Sequence, residues 1–159
     1  MRNRGFSLLE AIIIVGLIAI IAAASLPRLT RMLIDMRIET SAQQLATNLR
    51  FARMSAVKQK VQYQITIHDE SATPPATPNT YEVTYAPGGS FIIFPRADAK
   101  LDSGLRILSS STLSSVIFDP RGSASAAGSI SLRGENSAEY RIDLRTTGSV
   151  NVVKVASGD

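Results

Sequence analysis

From Phe6 to Leu26 the chain is almost continuously apolar, and residues 11–24 contain no polar side chain. As a helix these 21 residues extend roughly 30 Å at about 1.5 Å per residue, the thickness of a bilayer core. After Pro27 the pattern changes without stopping. Ile34, Ile38, Ala42, Leu45, Leu49, Ala52 and Ala56 recur at spacings of three or four, which is an amphipathic helical period. Arg31, Asp35, Glu39, Gln43, Arg50 and Lys58 are left for the other faces. The two patterns together predict one helix over residues 6–58, some 53 residues or roughly 80 Å. Pro27 deletes an intrahelical hydrogen bond and is expected to kink this helix or loosen one turn.

Beyond Lys60 the period drops to two. Val61, Tyr63, Ile65 and Ile67 alternate with polar residues, as in a half-buried strand, and Tyr81, Val83 and Tyr85 alternate again. Between these runs residues 71–78 form a polar, proline-rich loop, and Pro87-Gly88-Gly89 ends the second run. Further strands are expected at 91–94, 105–108, 116–118, 130–132, 140–144 and 150–155, with Gly122, Gly128, Gly134 and Gly148 in or beside the later breaks. The pattern predicts an α+β fold in which an antiparallel β head, expected as two sheets, packs on the C-terminal half of the long helix. There is no internal repeat and no sign of a second domain.

Charge sharpens the picture of the helix. The chain has 17 basic and 13 acidic residues, and seven of the basic ones lie between Arg28 and Lys60, against only Asp35 and Glu39. A basic stem suits anionic lipid headgroups or acidic neighbours. Arg2 and Arg4 precede the apolar run and Arg28 and Arg31 follow it, so charge alone does not orient a span. An ordinary secretory signal, with cleavage after Ala24 releasing a soluble β-domain that acts as a binding module, is one reading of this N-terminus. Two features oppose it. Glu10 places a carboxylate at the start of the apolar run, at a cost on the order of 3 kcal/mol for insertion. The helical period also continues past Pro27 where a loop would be expected.

The segment Gly5-Phe6-Ser7-Leu8-Leu9-Glu10, behind a short basic leader and ahead of an apolar run with a proline near its end, resembles the class III signal of type IV prepilins and pseudopilins. That resemblance implies a leader at residues 1–5, cleavage after Gly5 by prepilin peptidase, and N-methylation of Phe6. It implies a transmembrane and filament-core helix half at 6–26, an amphipathic half at 27–60, and a β-rich head at 61–159. It also implies that Glu10 pairs on assembly with the amine of Phe6 on a neighbouring subunit, which would favour one stagger between subunits. The run Leu49-Arg50-Phe51-Ala52-Arg53-Met54-Ser55-Ala56-Val57, the block Phe118-Asp119-Pro120-Arg121-Gly122, and Thr147-Gly148-Ser149-Val150 resemble the H-type minor pseudopilins of type II secretion and the FimT/FimU-type minor pilins. The implied function is structural: a non-enzymatic subunit of a type IV pilus or a type II secretion pseudopilus. Its partners would be prepilin peptidase, other pilin or pseudopilin subunits and the cytoplasmic membrane, with the head on the periplasmic side. Pilus and pseudopilus stay open at this point.

The inventory of reactive groups fits a structural role. There is no cysteine and one histidine, His68, which excludes the common zinc sites and disulfides, and His68 reads as a strand-end surface residue. No nucleophile elbow, phosphate loop or dinucleotide motif is present, so no cofactor and no catalytic residue are expected. Asp98 and Asp102 lack the dense oxygen spacing of a calcium loop, and no metal is expected. Nucleic-acid binding would need surplus cations. The head's candidates Arg133, Arg141, Arg145 and Lys154 are each offset by one of Glu135, Glu139, Asp143 and Asp159, so DNA is not favoured as a partner.

Overall fold

The computed structural model describes residues 8–74, 76–93, 99–101, 104–134 and 138–155; at 24–28, 31, 99 and 100 it describes the backbone only. One helix, α1 (Leu8–Gln59), carries the whole N-terminal third, and its backbone is helical through Pro27. Lys60 then takes a positive φ of 57°, a left-handed residue of the kind that commonly ends helices. The chain turns directly into β1 (Gln62–His68).

Among the described residues nine strands follow and form two antiparallel sheets. The first holds β2 (Thr80–Ala86), β3 (Ile92–Ile93), β4 (Ala99–Lys100) and β6 (Ser115–Phe118) around β1, in the order β3-β2-β1-β6, with β4 also on β2. The second has the order β5-β7-β8-β9, from β5 (Arg106–Ile107), β7 (Gly128–Arg133), β8 (Glu139–Leu144) and β9 (Val150–Val155). Two sheets on the C-terminal half of the helix is the predicted architecture. The two-residue β4 was not expected, because so short a pair shows no periodicity. It exists through its pairing with Thr80 and Tyr81.

The core explains why the helical period continues past Pro27. Ile38, Ala42, Leu45, Ala46, Leu49, Ala52 and Ala56 are fully buried on one face of α1. The four alanines let the helix axis approach the sheets closely. Opposite them lie Tyr63, Ile65, Val83, Val116 and Phe118 from the first sheet, and Ile107, Ile130, Leu132, Ile142 and Leu144 from the second. The helix packs mainly on β1, β8 and β9, so it spans the junction of the two sheets. Asn79, at a φ of 58°, helps to join them: its side-chain oxygen accepts the backbone N–H of Ile107 at 2.8 Å.

Buried phenols make the head sensitive to alkali. Burial pushes the Tyr81 phenol above its ordinary value, partly offset by the Asn48 amide that donates to its oxygen; burial also raises Tyr63 and Tyr140. A pKa raised by folding means the unfolded chain ionises first. The stabilisation is therefore complete below about pH 10 and is lost as pH rises through the folded-state values. Urea midpoints of the folded protein are expected to be unaffected by these groups between pH 7 and 9 and to fall above about pH 10. A midpoint that holds steady up to pH 11.5 would show that the phenols titrate without opening the core.

Candidate assembly surface

The head covers only part of its helix. Among the described side chains the first fully buried residue of α1 is Ile38, whereas Leu8, Leu9, Ile12, Ile13, Val15, Leu17, Ile18, Ile20 and Ile21 are all exposed large apolar side chains. Glu10 lies in the first turn of the described helix and is exposed. Gly5 and Phe6 lie outside the described residues, as does the side chain of Pro27. Among the described residues no helix is long and apolar enough to cross a membrane; the 6–26 run lies only partly within them.

The uncovered surface continues along the head itself. Leu29, Met32, Leu33 and Met36 are exposed, and the same side of the helix carries Thr40, Gln43, Thr47, Phe51 and Met54 at steps of three or four. Arg50, three residues past Thr47 and four before Met54, puts an exposed cation on this stripe. Its two threonines are less polar than they look, because each hydroxyl donates back into the helix, Thr40 to the Met36 carbonyl at 2.8 Å and Thr47 to the Gln43 carbonyl at 2.7 Å. Sequence reasoning placed Gln43 among the outward residues but did not single out the stripe. The signal was available as a row of mostly uncharged residues opposite the core period.

At the C-terminal end of α1 the structure gathers the three motifs of the stem and head. Arg53 Nε donates to the Gly122 carbonyl at 2.9 Å, and Arg50 donates to the Val150 carbonyl at 3.0 Å. The loop holding Gly122 is built on Asp119, whose Oδ1 accepts the N–H groups of Arg121 and Ser123, both at 2.9 Å. Gly122 and Gly148 have positive φ values of 85° and 76°. A Cβ at Gly148 would strike the Gly122 carbonyl and come within 2.6 Å of Arg53 Nε. One helix side chain thus clamps the turns of both sheets.

The expected charge pairing is partly revised. Arg133 pairs with Glu139 and Arg141 with Asp143, both at 3.0 Å. Lys154 lies 4.0 Å from Asp35 of the helix and sits over the Tyr140 ring, while Glu135 and Asp159 lie outside the described residues. Arg145 is in no ion pair among the described residues, because Asp143 is engaged by Arg141. All three pairs are solvent-exposed and add little stability. Among the described residues no cluster of possible metal ligands occurs. His68 lies at the end of β1 and, with Ala76, Thr77, Thr80 and Glu82, lines an open cleft of about 370 Å³. Asp98 and Asp102 lie outside the described residues.

Comparison with known proteins agrees with this arrangement. The family described as Type II transport protein GspH matches residues 41–148, which contain the first two motifs and reach Gly148 of the third. Two solved structures of the minor pseudopilin EpsH from the type II secretion system of Vibrio cholerae share the fold. One is 11% identical over 74% of this chain and 97% of that chain, with a TM-score of 0.57. The other is 10% identical over 80% and 99%, with a TM-score of 0.59. The type IV minor pilin FimU of Pseudomonas aeruginosa PAO1 is 14% identical over 73% and 87%, with a TM-score of 0.56. No curated protein sequence matches significantly. The structural likenesses establish a pilin-like fold, and the family match covers most of the chain, so this protein belongs to the GspH family and is a structural, non-enzymatic pilin-like subunit.

Proposed function

We propose that the chain is made as a precursor anchored in the bacterial cytoplasmic membrane through residues 6–26, with its head (61–159) on the periplasmic side. Prepilin peptidase removes residues 1–5 after Gly5 and methylates the amine of Phe6. The mature chain then leaves the lipid and joins a type II secretion pseudopilus as a minor subunit. The observation that carries this reading is the division of α1. Its C-terminal half completes a folded core, whereas its N-terminal half keeps an apolar surface that nothing among the described residues covers. Apolar surface on that scale needs lipid or other helices. Membrane and filament supply these in turn.

Glu10 fits the second stage. In a bundle of apolar helices its carboxylate needs a cationic partner, and the amine of a neighbour's Phe6 meets that need. Pro27 stands between the two halves of the helix, where a missing hydrogen bond gives it freedom to bend. Assembly into a type IV pilus is the second reading, favoured by the likeness to FimU, which is a type IV minor pilin. Nucleic acid is not a favoured partner, since three of the head's four candidate cations are already paired.

The test is the intact mass and N-terminal sequence of the protein from its native membrane fraction. A chain that begins at Phe6 and is heavier by one methyl group is the expected result. A soluble chain beginning at Ser25 would overturn the proposal and leave an exported β-domain.

A further inference from the structure

The segment that leads from β1 into β2, Ser71-Ala72-Thr73-Pro74-Pro75-Ala76-Thr77-Pro78-Asn79-Thr80, holds four hydroxyl side chains and three prolines in ten residues. Such a composition buries no core and is the kind that carries O-linked sugar on exposed chain. Which of the four hydroxyls is available is a matter of tertiary structure.

Asp69 ties the base of this loop. Its carbonyl accepts the N–H groups of Ala72 at 3.2 Å and Asn79 at 3.3 Å, and its Oδ1 accepts the N–H of Ser71 at 2.9 Å and the Ser71 hydroxyl at 2.7 Å. The Thr80 hydroxyl donates to the Thr77 carbonyl at 2.6 Å. Ser71 and Thr80 are thus engaged. Thr73 and Thr77 are exposed, and neither hydroxyl has a hydrogen-bond partner among the described residues. Each stands directly before a proline that opens a turn. Pro74 follows Thr73, whose carbonyl accepts the Ala76 N–H at 3.1 Å; Pro78 follows Thr77, with Asn79 next at a φ of 58°. Proline in the second position and a positive φ in the third is a favoured turn pattern. A proline also biases the residue ahead of it towards extended backbone. Both threonines therefore sit at the corners of a tied loop, in the same local setting.

We infer that Thr73 and Thr77 are acceptors of O-linked sugar, a modification independent of how the subunit assembles. A transferase supplies a sugar activated as a glycosyl phosphate. The threonine Oγ bonds to the anomeric carbon, and the bond from that carbon to the phosphate oxygen breaks. The phosphate leaves with the electron pair, and the hydroxyl proton passes to a base of the transferase. The surroundings favour sugar over a phosphoryl group. Thr77 lines the open cleft of about 370 Å³ together with His68, Ala76, Thr80 and Glu82. An ionised carboxylate such as that of Glu82 only accepts hydrogen bonds, so it bonds sugar hydroxyls and repels phosphate. Asp69 and Glu70 at the start of the loop add to that repulsion, and residues 61–95 contain no Lys or Arg.

The same lack of Lys and Arg makes the test direct, because trypsin releases the whole loop in one peptide, Val61–Arg96. The full-length protein is taken from its native membranes, digested, and fragmented in a mass spectrometer by a method that keeps side-chain adducts in place. The expected result is a form of this peptide heavier by one or two sugar residues, located on Thr73, Thr77 or both. Thr73→Val with Thr77→Val is expected to abolish the heavier form and to leave the urea midpoint of the head unchanged, since neither hydroxyl bonds within the fold. A peptide found only at its unmodified mass would overturn the inference. So would an added phosphate, a sugar on Ser71 or Thr80, or a heavier form that survives in the double variant. The N-terminal peptide of the same digest reports processing after Gly5 separately, so either result can fail without the other.

Discussion

Gly148→Ala is expected to destabilise the head by roughly 3 kcal/mol or more. Two causes act together. At a φ of 76° a Cβ carries a steric penalty of about 1–2 kcal/mol. The space the methyl would need is also occupied by the Gly122 carbonyl and the Arg53 guanidinium. Neither obstacle yields cheaply. The carbonyl is backbone in a loop already fixed by Asp119, and moving Arg53 breaks its hydrogen bond to that same carbonyl. The whole clamp between α1 and the two sheets must shift. Gly88→Ala is the matched control: a methyl there meets nothing within 4 Å, and a change under about 0.5 kcal/mol is expected. Urea unfolding of the full-length chain in mild detergent measures both. Equal midpoints for the two variants would show that the turns are not held by this contact.

Glu10→Ala should leave that unfolding curve untouched and yet remove at least nine-tenths of the protein from the assembled fraction. Glu10 is exposed and lies 28 residues before the first fully buried position of the helix, so the head does not depend on it. On the proposed pathway its carboxylate enters a bundle of apolar helices, where it specifies stagger by pairing with a neighbour's N-terminal amine. Losing the pair leaves that amine buried and uncompensated. A tenfold fall in incorporation corresponds to about 1.4 kcal/mol, well within the cost of an unpaired buried charge. Glu10→Gln separates charge from shape and is expected to behave like the alanine variant. Normal assembly of either protein would remove the pairing from the mechanism, and a shifted unfolding curve would mean that Glu10 serves the fold.

The features legible along the chain were those written in short-range periods. The helix was readable because Ile38, Ala42, Leu45, Leu49, Ala52 and Ala56 repeat at its own pitch, and all six are fully buried. Strands β1 and β2 were readable from alternation, and β8 and β9 lie where strands were expected. The three family motifs were also legible, though not the reason for them. Arg53, Gly122 and Gly148 are spread over nearly 100 residues, and only packing shows that one guanidinium bonds the Gly122 carbonyl and lies against Gly148.

Sequence by itself determined the local conformations, the class of fold and the segregation of apolar residues into an N-terminal helix. Backbone period and side-chain burial are properties of neighbours a few residues apart. The tertiary structure decided what depends on distant pairing. It set the order β3-β2-β1-β6, the existence of β4, and the choice of Asp35 as partner for Lys154. It also left Phe91, Ile92 and Ile93 exposed, on the outermost strand of the first sheet among the described residues. Three consecutive apolar residues read the same whether a strand is central or outermost. Which it becomes depends on how many partners the rest of the chain brings to it, and here β2 is the only one among the described residues.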